Sequence, residues 1–261
     1  QETWSTSTIH LDGYHSHAQQ ALSSIAGRAK GGLIILLNNL CGICLVGPFL
    51  SSAYYQMGLF KTANELHILC INFYNNIPLG DRDKIMSNFD ADLEVMLNWQ
   101  GLNPIVIWGG DFNSHLCSVN HLNACGILDV EGNLITHFEH SPWGTILNRF
   151  LVKFGFSFSN NFSSPQVPTA PTFHSRGVAT TVDYILISHH LKGYSYQFYC
   201  HLQPYSDHFP LSISLPQFGG SAKSNLFKAP VGLAAHRPNG TRIRCDVSMS
   251  DSFLEQLILE N

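Results

Sequence analysis

The sequence predicts an α/β fold in which two packed β-sheets carry helices on their outer faces. Strand-like apolar runs recur along the chain from Leu33 to Leu215, and two segments between them have helical spacing instead. A length of 261 residues with 44% hydrophobic content is also enough to bury a substantial core.

The first runs, Leu33 to Leu37 and Leu40 to Val46, lie inside the most apolar segment, GGLIILLNNLCGICLVGPFL from Gly31 to Leu50. Its length approaches that of a membrane span. The pair Asn38-Asn39 interrupts it, however, and two short apolar runs around a turn-forming pair read as a β-hairpin. No membrane span and no signal peptide are expected. Leu66 to Phe73 and Pro104 to Trp108 read as further strands. Between them, in DRDKIMSNFDADLEVMLNWQ, the residues Ile85, Phe89, Leu93, Met96 and Leu97 fall on one helical face. Leu147, Phe150, Leu151 and Phe154 do the same in WGTILNRFLVKFGF. Thr181 to Ser188, Tyr194 to Tyr199 and Leu211 to Leu215 complete the strand set. From about Pro216 the chain becomes rich in Gly, Pro and Ala, with Lys223, Lys228 and Arg237 and no acid up to Gly240. A domain over 1–216 followed by a linker over 217–261 is therefore expected.

Net charge is −4 with only 14 Lys and Arg, which excludes a protein that coats nucleic acid by bulk attraction to phosphate. Any nucleic-acid contact should be local. Seven cysteines without regular spacing point to a reducing compartment rather than a disulfide framework. Cys41 and Cys44 form a lone CxxC with no second ligand pair for zinc, and read as apolar strand residues. The glycosylation sequons at Asn161 and Asn239 then carry no weight.

The chemistry-bearing residues stand at strand ends. IVIWGGDFNSH, from Ile105 to His115, ends an apolar strand on Asp111 and Asn113. On an extended chain, residues two apart point to the same side. A carboxylate beside a carboxamide is suited to holding a water and donating to an anion, although a bare GDxN also reads as an Asx turn. Asp183 lies within TTVDYILIS, where an ionised carboxylate is costly unless paired; a structural ion pair explains it equally. YSDHFPLSISL sets Asp207 and His208 directly before an alternating strand, or in a surface turn. Glu2, in QETW, carries no message alone.

In combination, QETW, GDFN, VDYILIS and SDHFPL occur in an order that resembles the endonuclease/exonuclease/phosphatase superfamily. The resemblance spans about Gln1 to Leu215 and implies a four-layered α/β sandwich that hydrolyses phosphoesters with magnesium. LDGY at Leu11 to Tyr14, GRAKGGLIIL at Gly27 to Leu36, GDFNSH, the succession of PTF and DYILIS, and RPNGTRIR at Arg237 to Arg244 further resemble the apurinic-type endonuclease domain of animal non-LTR (LINE-like) retrotransposons. That resemblance implies Glu2 as a magnesium ligand with help from Asp207, manganese being an alternative ion. It implies Asp111 as activator of the attacking water, Asn113 as its holder, His208 as donor to a phosphate oxygen, and Asp183 as the group fixing that imidazole. Tyr74 matches a phosphate-contacting tyrosine, and His115, Arg176 and Ser206 match substrate-binding positions. DNA is the implied partner, a reverse transcriptase domain of the same polyprotein the implied neighbour, and the nucleus the implied place of action within the cell.

Two departures stand out. Asn75-Asn76 occupies the place where the family usually has a nearby proline. The family also carries a strand-helix-strand unit with an active-site asparagine ahead of the glutamate, whereas this sequence starts at the glutamate. The expectation is a sandwich lacking that first unit, weakly stable and essentially inactive until it is restored. The alternatives are a non-catalytic remnant of such a domain and a phosphoesterase of the same superfamily acting on phosphoinositides, sphingomyelin or abasic sites.

Overall fold

The computed structural model describes residues 5–7, 9–21, 31–114, 142–158, 172–175, 178–188, 197–200 and 207–215. The chain divides into two units, Gln1–Ser221 and Ala222–Asn261, and every described residue belongs to the first. The expected linker therefore lies outside the described residues. So do Glu2, His115, Arg176 and Ser206.

In chain order the strands are β1 (Tyr14–Gln19), β2 (Leu33–Asn38), β3 (Cys44–Ser51), β4 (Tyr55–Lys61), β5 (His67–Tyr74) and β6 (Ile105–Asp111). They are followed by β7 (Phe156–Phe158), β8 (Phe173–Ser175), β9 (Val178–Thr180), β10 (Asp183–Ser188), β11 (Gln197–Cys200) and β12 (Leu211–Ser214). Helix α1 (Arg82–Leu97) joins β5 to β6, and α2 (Pro142–Phe154) precedes β7. A six-stranded sheet runs β3-β4-β5-β6-β10-β7; β5 and β6 are parallel, and the other neighbours antiparallel. Three two-stranded sheets accompany it: β1-β2, β11-β12 and β8-β9.

Period-two alternation sorts the central strands into two faces. One face presents Leu69, Ile71 and Phe73 of β5, Val106 and Trp108 of β6, and Leu186 of β10 to the helices. There Met86, Phe89, Leu93 and Met96 of α1 and Trp143, Leu147 and Leu151 of α2 are buried. Of the helical stripes read from the sequence, Phe89, Leu93, Met96, Leu147 and Leu151 are buried, Ile85, Leu97, Phe150 and Phe154 pack against them partly buried, and Met86 and Trp143 are buried in addition. Phe89 is at the centre, its ring 5.1 Å from Tyr55, 5.5 Å from Phe73, 4.9 Å from Trp108 and 5.7 Å from Phe150.

The opposite face carries Ile105 and Ile107 of β6 and Ile185 and Ile187 of β10, and Leu211 and Ile213 of β12 sit on them. Further along the same sheet the β1-β2 pair is pinned by polar groups: Gln56 Nε2 donates to the His17 carbonyl at 3.2 Å, and Asn72 Nδ2 to the Ile34 carbonyl at 3.2 Å. His17 also stacks on Phe49 with ring centroids 4.7 Å apart. A helical layer, a mixed sheet and a second layer of antiparallel strands, all among the described residues, make the expected α/β sandwich.

Two expectations are corrected. The runs flanking Asn38-Asn39 do not form a hairpin: β2 pairs with β1 and β3 with β4, so the turn passes the chain between sheets. The turn is real, since Leu40 N–H donates to Asn38 Oδ1 at 2.8 Å, but the strand pattern does not specify partners. Of the pair Cys41 and Cys44, read as apolar strand residues, Cys44 does open β3 but Cys41 lies in that turn, and both are exposed. No helix among the described residues is long and apolar enough to cross a membrane.

Phe89 is fully buried, so Phe89→Ala should cost about 3–5 kcal/mol. Urea unfolding followed by circular dichroism should show the midpoint falling accordingly, a large part of the ~5–15 kcal/mol that holds an ordinary domain together.

Candidate active site

The stripe Ile105, Ile107, Gly109 continues along β6 to Asp111, and the stripe Ile187, Ile185 continues back along β10 to Asp183. Register places Asp183 directly opposite Asp111, and Tyr74 of β5 opposite Asp111 on the other side. Three candidate residues thus form one row across three strands, on the face turned away from the helices. The fourth comes from the second layer. With Leu211 and Ile213 seated on the isoleucine stripe, the chain just before β12 passes the sheet end. There His208 Nδ1 meets Asp183 Oδ1 at 3.1 Å and Oδ2 at 3.0 Å. Ligating atoms of Asp111, Asp183 and His208 all lie within 4.8 Å of one another.

Three residues divide the labour in GDFN. Asp111 ends β6 on the site face, while Phe112 turns to the opposite face and is fully buried, its ring 5.2 Å from Phe73 and 5.3 Å from Trp108. Asn113 then adopts a left-handed backbone, φ 42°, a conformation asparagine tolerates better than most residues. This bend, rather than an extended chain, brings Asn113 back onto Asp111. Its N–H donates to Asp111 Oδ1 at 2.8 Å and its Nδ2 to Oδ2 at 3.0 Å. The Asx turn and the functional pair are therefore one feature. Because Nδ2 also donates to the Asn75 carbonyl at 3.2 Å, the amide hydrogens hold the carboxylate and the backbone.

Two further residues position the site, and the sequence pattern does not single them out. Thr172 is buried, and its hydroxyl oxygen accepts from the N–H groups of Val182 and Asp183, each at 3.0 Å. Its carbonyl accepts from Phe209 N–H at 2.7 Å. One threonine thereby ties the start of β10 to the His208 segment. The only signal is the PTF preceding DYILIS. Asn75, buried, donates its backbone N–H to the Asp111 carbonyl at 2.8 Å and its Nδ2 to the Phe112 carbonyl at 2.5 Å. A proline at 75 would lack the N–H that this chain uses to hold the Asp111 carbonyl.

The His208 ring lies against Phe173, with centroids 4.7 Å apart, and is half-buried. The Asp183 hydrogen bond is the main cause that raises its pKa above the usual 6.5; burial opposes, and the charges of Asp183, Asp111 and Asp207 add to the rise. Asp207 is exposed and outside the close trio. The two carboxylates offer oxygen donors of the kind a hard divalent cation prefers, so Asp111 and Asp183 are able to ligate one.

Comparison with known proteins gives the family. Residues 9–208 match the Endonuclease/Exonuclease/phosphatase family. The chain belongs to that family. Its members are metal-dependent phosphodiesterases and nucleases. Among solved structures, an AP endonuclease from Archaeoglobus fulgidus aligns with TM-score 0.48 and 17% identity over 78% of this chain and 80% of that one. A 3′ phosphatase, NExo, from Neisseria, bound to product DNA hairpin, aligns with TM-score 0.47 and 15% identity over 78% and 79%. The human Nocturnin catalytic domain with bound sulfate aligns with TM-score 0.44 and 14% identity over 80% and 68%. No curated protein sequence matches the chain.

Replacing Thr172 by valine keeps the shape and removes the acceptor of two N–H groups. Thr172→Val should cost about 1–3 kcal/mol for each unsatisfied donor, while Thr172→Ser should retain most of the stability; thermal melts of the two variants distinguish them. The ionic hydrogen bond predicts a second result. Because His208 is raised in the folded state, the stabilisation from its pairing is complete below pH 6.5 and is lost as pH rises through the higher folded value. An NMR titration should find this ring titrating above 6.5, and Asp183→Asn should bring it down.

Proposed function

We propose that the protein is a magnesium-dependent DNA endonuclease that nicks one strand and so exposes a 3′ hydroxyl for target-primed reverse transcription. It would act in the nucleus as part of a non-LTR retrotransposon polyprotein. The observation that carries the reading is the juxtaposition of an Asn-held Asp111 with the Asp183–His208 pair, inside a family of phosphoesterases. The narrower assignment to retrotransposons rests on LDGY, GRAKGGLIIL, GDFNSH and RPNGTRIR.

Each residue has a role that follows from its contacts. Asp111, its carboxylate oriented by two hydrogen bonds from Asn113, accepts the proton of a water that Asn113 Oδ1 helps to hold. Asp183 engages Nδ1 of His208, so Nε2 is the nitrogen that donates to a non-bridging phosphate oxygen where negative charge grows. The raised His208 pKa enlarges the share of imidazolium near neutrality, and a cation is the better donor to an anion. Tyr74, next in the row, directs its hydroxyl-bearing side chain to the same face. Glu2 and Asp207, with the carboxylates of this site, would hold a magnesium ion, which when bound would supply polarisation of the phosphate and neutralisation of charge on the leaving oxygen.

With the family's strand-helix-strand unit restored ahead of Glu2, nicking of supercoiled plasmid should require Mg2+ or Mn2+ and stop in excess chelator; cleavage that persists without a divalent ion would overturn the mechanism. His208→Ala should lower the rate by about a hundred- to a thousandfold. Asp183→Asn combined with His208→Ala should be little worse than His208→Ala alone, because residues acting as one unit are non-additive. Rate losses that multiply in variants still folded by circular dichroism would reduce Asp183 to a structural residue.

A further inference from the structure

A cavity of about 330 Å³ opens beside the catalytic row, and its wall includes Gly31, Gly32, Tyr54, Tyr74, Ile77 and Pro78. We propose that it holds one base of the cut strand, next to the phosphate lying over Asp111, Asp183 and His208, and that Tyr54 is the residue on which that base rests. This rests on the nuclease reading and adds to it a recognition site that the catalytic residues do not supply.

Position is the first argument. Tyr74 belongs to both features, being a wall of the cavity and the register partner of Asp111. Neighbouring strands lie about 4.8 Å apart, so the cavity begins one strand away from the group that activates water. A polynucleotide with a phosphate on the trio brings an adjoining nucleotide to this place.

Chemistry is the second. The remaining described lining residues are Gln20, Ala53 and Asn76, so none of the described residues of the wall carries a formal charge. Among these described residues a phosphate or a lipid headgroup finds no cation, whereas two phenol rings, an isoleucine and a proline suit a flat, uncharged heteroaromatic ring. The volume lies at the lower end of small-ligand sites, which begin near 300 Å³, and is in keeping with one base rather than a whole nucleotide chain. Gly31 and Gly32 have φ of 75° and 92°, which only glycine adopts readily, so that stretch of wall remains at backbone level. The Tyr54 backbone is fixed: its carbonyl accepts from Tyr74 N–H at 2.8 Å and its N–H donates to Ser52 Oγ at 3.1 Å. Burial, and then the charge of Asp81, keep its phenol protonated. The ring is thus a neutral platform on a rigid turn, coupled through one hydrogen bond to the strand that ends in the catalytic row.

Base–aromatic stacking tolerates any sequence, so this site should read the presence of a base rather than its identity. The test uses the protein and duplexes with one defined nick site, in which the base at each flanking position of the cut strand is removed in turn. Wild type should lose about five- to a hundredfold in KM or Kd at one position and much less elsewhere. At that position Tyr54→Ala should cause a similar loss that does not multiply with removal of the base, and Tyr54→Phe should bind as wild type. Nicking with no position sensitive to base removal, or losses that multiply at every position, would overturn the base site and leave the nuclease reading standing. Failure of the folded protein, carrying the family's strand-helix-strand unit ahead of Glu2, to nick any DNA with a divalent ion would overturn both. Because the base scan is made on wild type, its outcome does not depend on Tyr54→Ala being folded.

Discussion

Everything in the candidate site depends on the register between β5, β6 and β10. Side chains alternate with period two, so a slip of one residue would carry Asp111 and Asp183 to the helical face and bring apolar residues to the site. What forbids the slip is far from the chemistry. Val106 and Trp108 must reach the helices while Ile105 and Ile107 meet β12, and the same demand on Leu186 against Ile185 and Ile187 fixes β10. Opposite burial on two faces leaves a single register that satisfies both. The carboxylates are then placed by apolar packing at the other end of their own strands.

Register sets which residues meet, and polar clamps set how. Two carboxylates opposite one another repel, and their burial raises the cost. The structure answers with directed donors. Asn113 gives Asp111 two hydrogen bonds, His208 shares its Nδ1 proton with Asp183, and Thr172 and Asn75 tie the surrounding backbone. Phe112 anchors the loop from the other face by burying a whole ring between the two acidic residues' strands and the helical core. The arrangement therefore resists relaxation, and a site whose dipoles are already oriented need not reorganise as charge moves to the phosphate.

The sequence reveals the parts of this plan that depend on local pattern. Both helices are legible because their apolar residues recur at three and four, and β5, β6, β10 and β12 because their apolar runs are bounded by turns. β4 is not, since Gln56 and Gly58 break its apolar run although six of its seven residues are buried, and β1, YHSHAQ, has the composition of a loop. Pattern alone pairs β2 with β3, wrongly, because two asparagines mark a turn but say nothing of which sheet follows. The pairing of Asp183 with His208 is legible only through the resemblance, as 25 residues separate them. Thr172 and Asn75 are hidden for a related reason: each acts on backbone atoms brought near by tertiary structure, and a hydrogen bond to a main-chain N–H leaves no trace in side-chain pattern. Glu2, His115, Arg176 and Ser206 lie outside the described residues.

The site also separates two demands that one set of residues would satisfy poorly. Chemistry on a phosphate needs groups held within tenths of an ångström, and strand ends locked by two-sided packing provide that rigidity. Choice of substrate needs surfaces that vary without disturbing the register, and here the cavity wall comes largely from connecting segments: Gly31-Gly32 before β2, Tyr54 in the turn before β4, and Ile77-Pro78 after β5. Tyr74 is the point where the two meet, and it is held from both sides, by the Tyr54 carbonyl on its own N–H and by its pairing with β6. A change in those connecting segments can alter what lies beside the phosphate while Asp111, Asp183 and His208 stay where the isoleucine stripe puts them. Loops on a rigid scaffold are the usual seat of specificity, and the physical reason in this chain is that, among the described residues of the cavity wall, Tyr74 alone takes part in the register on which the carboxylates depend.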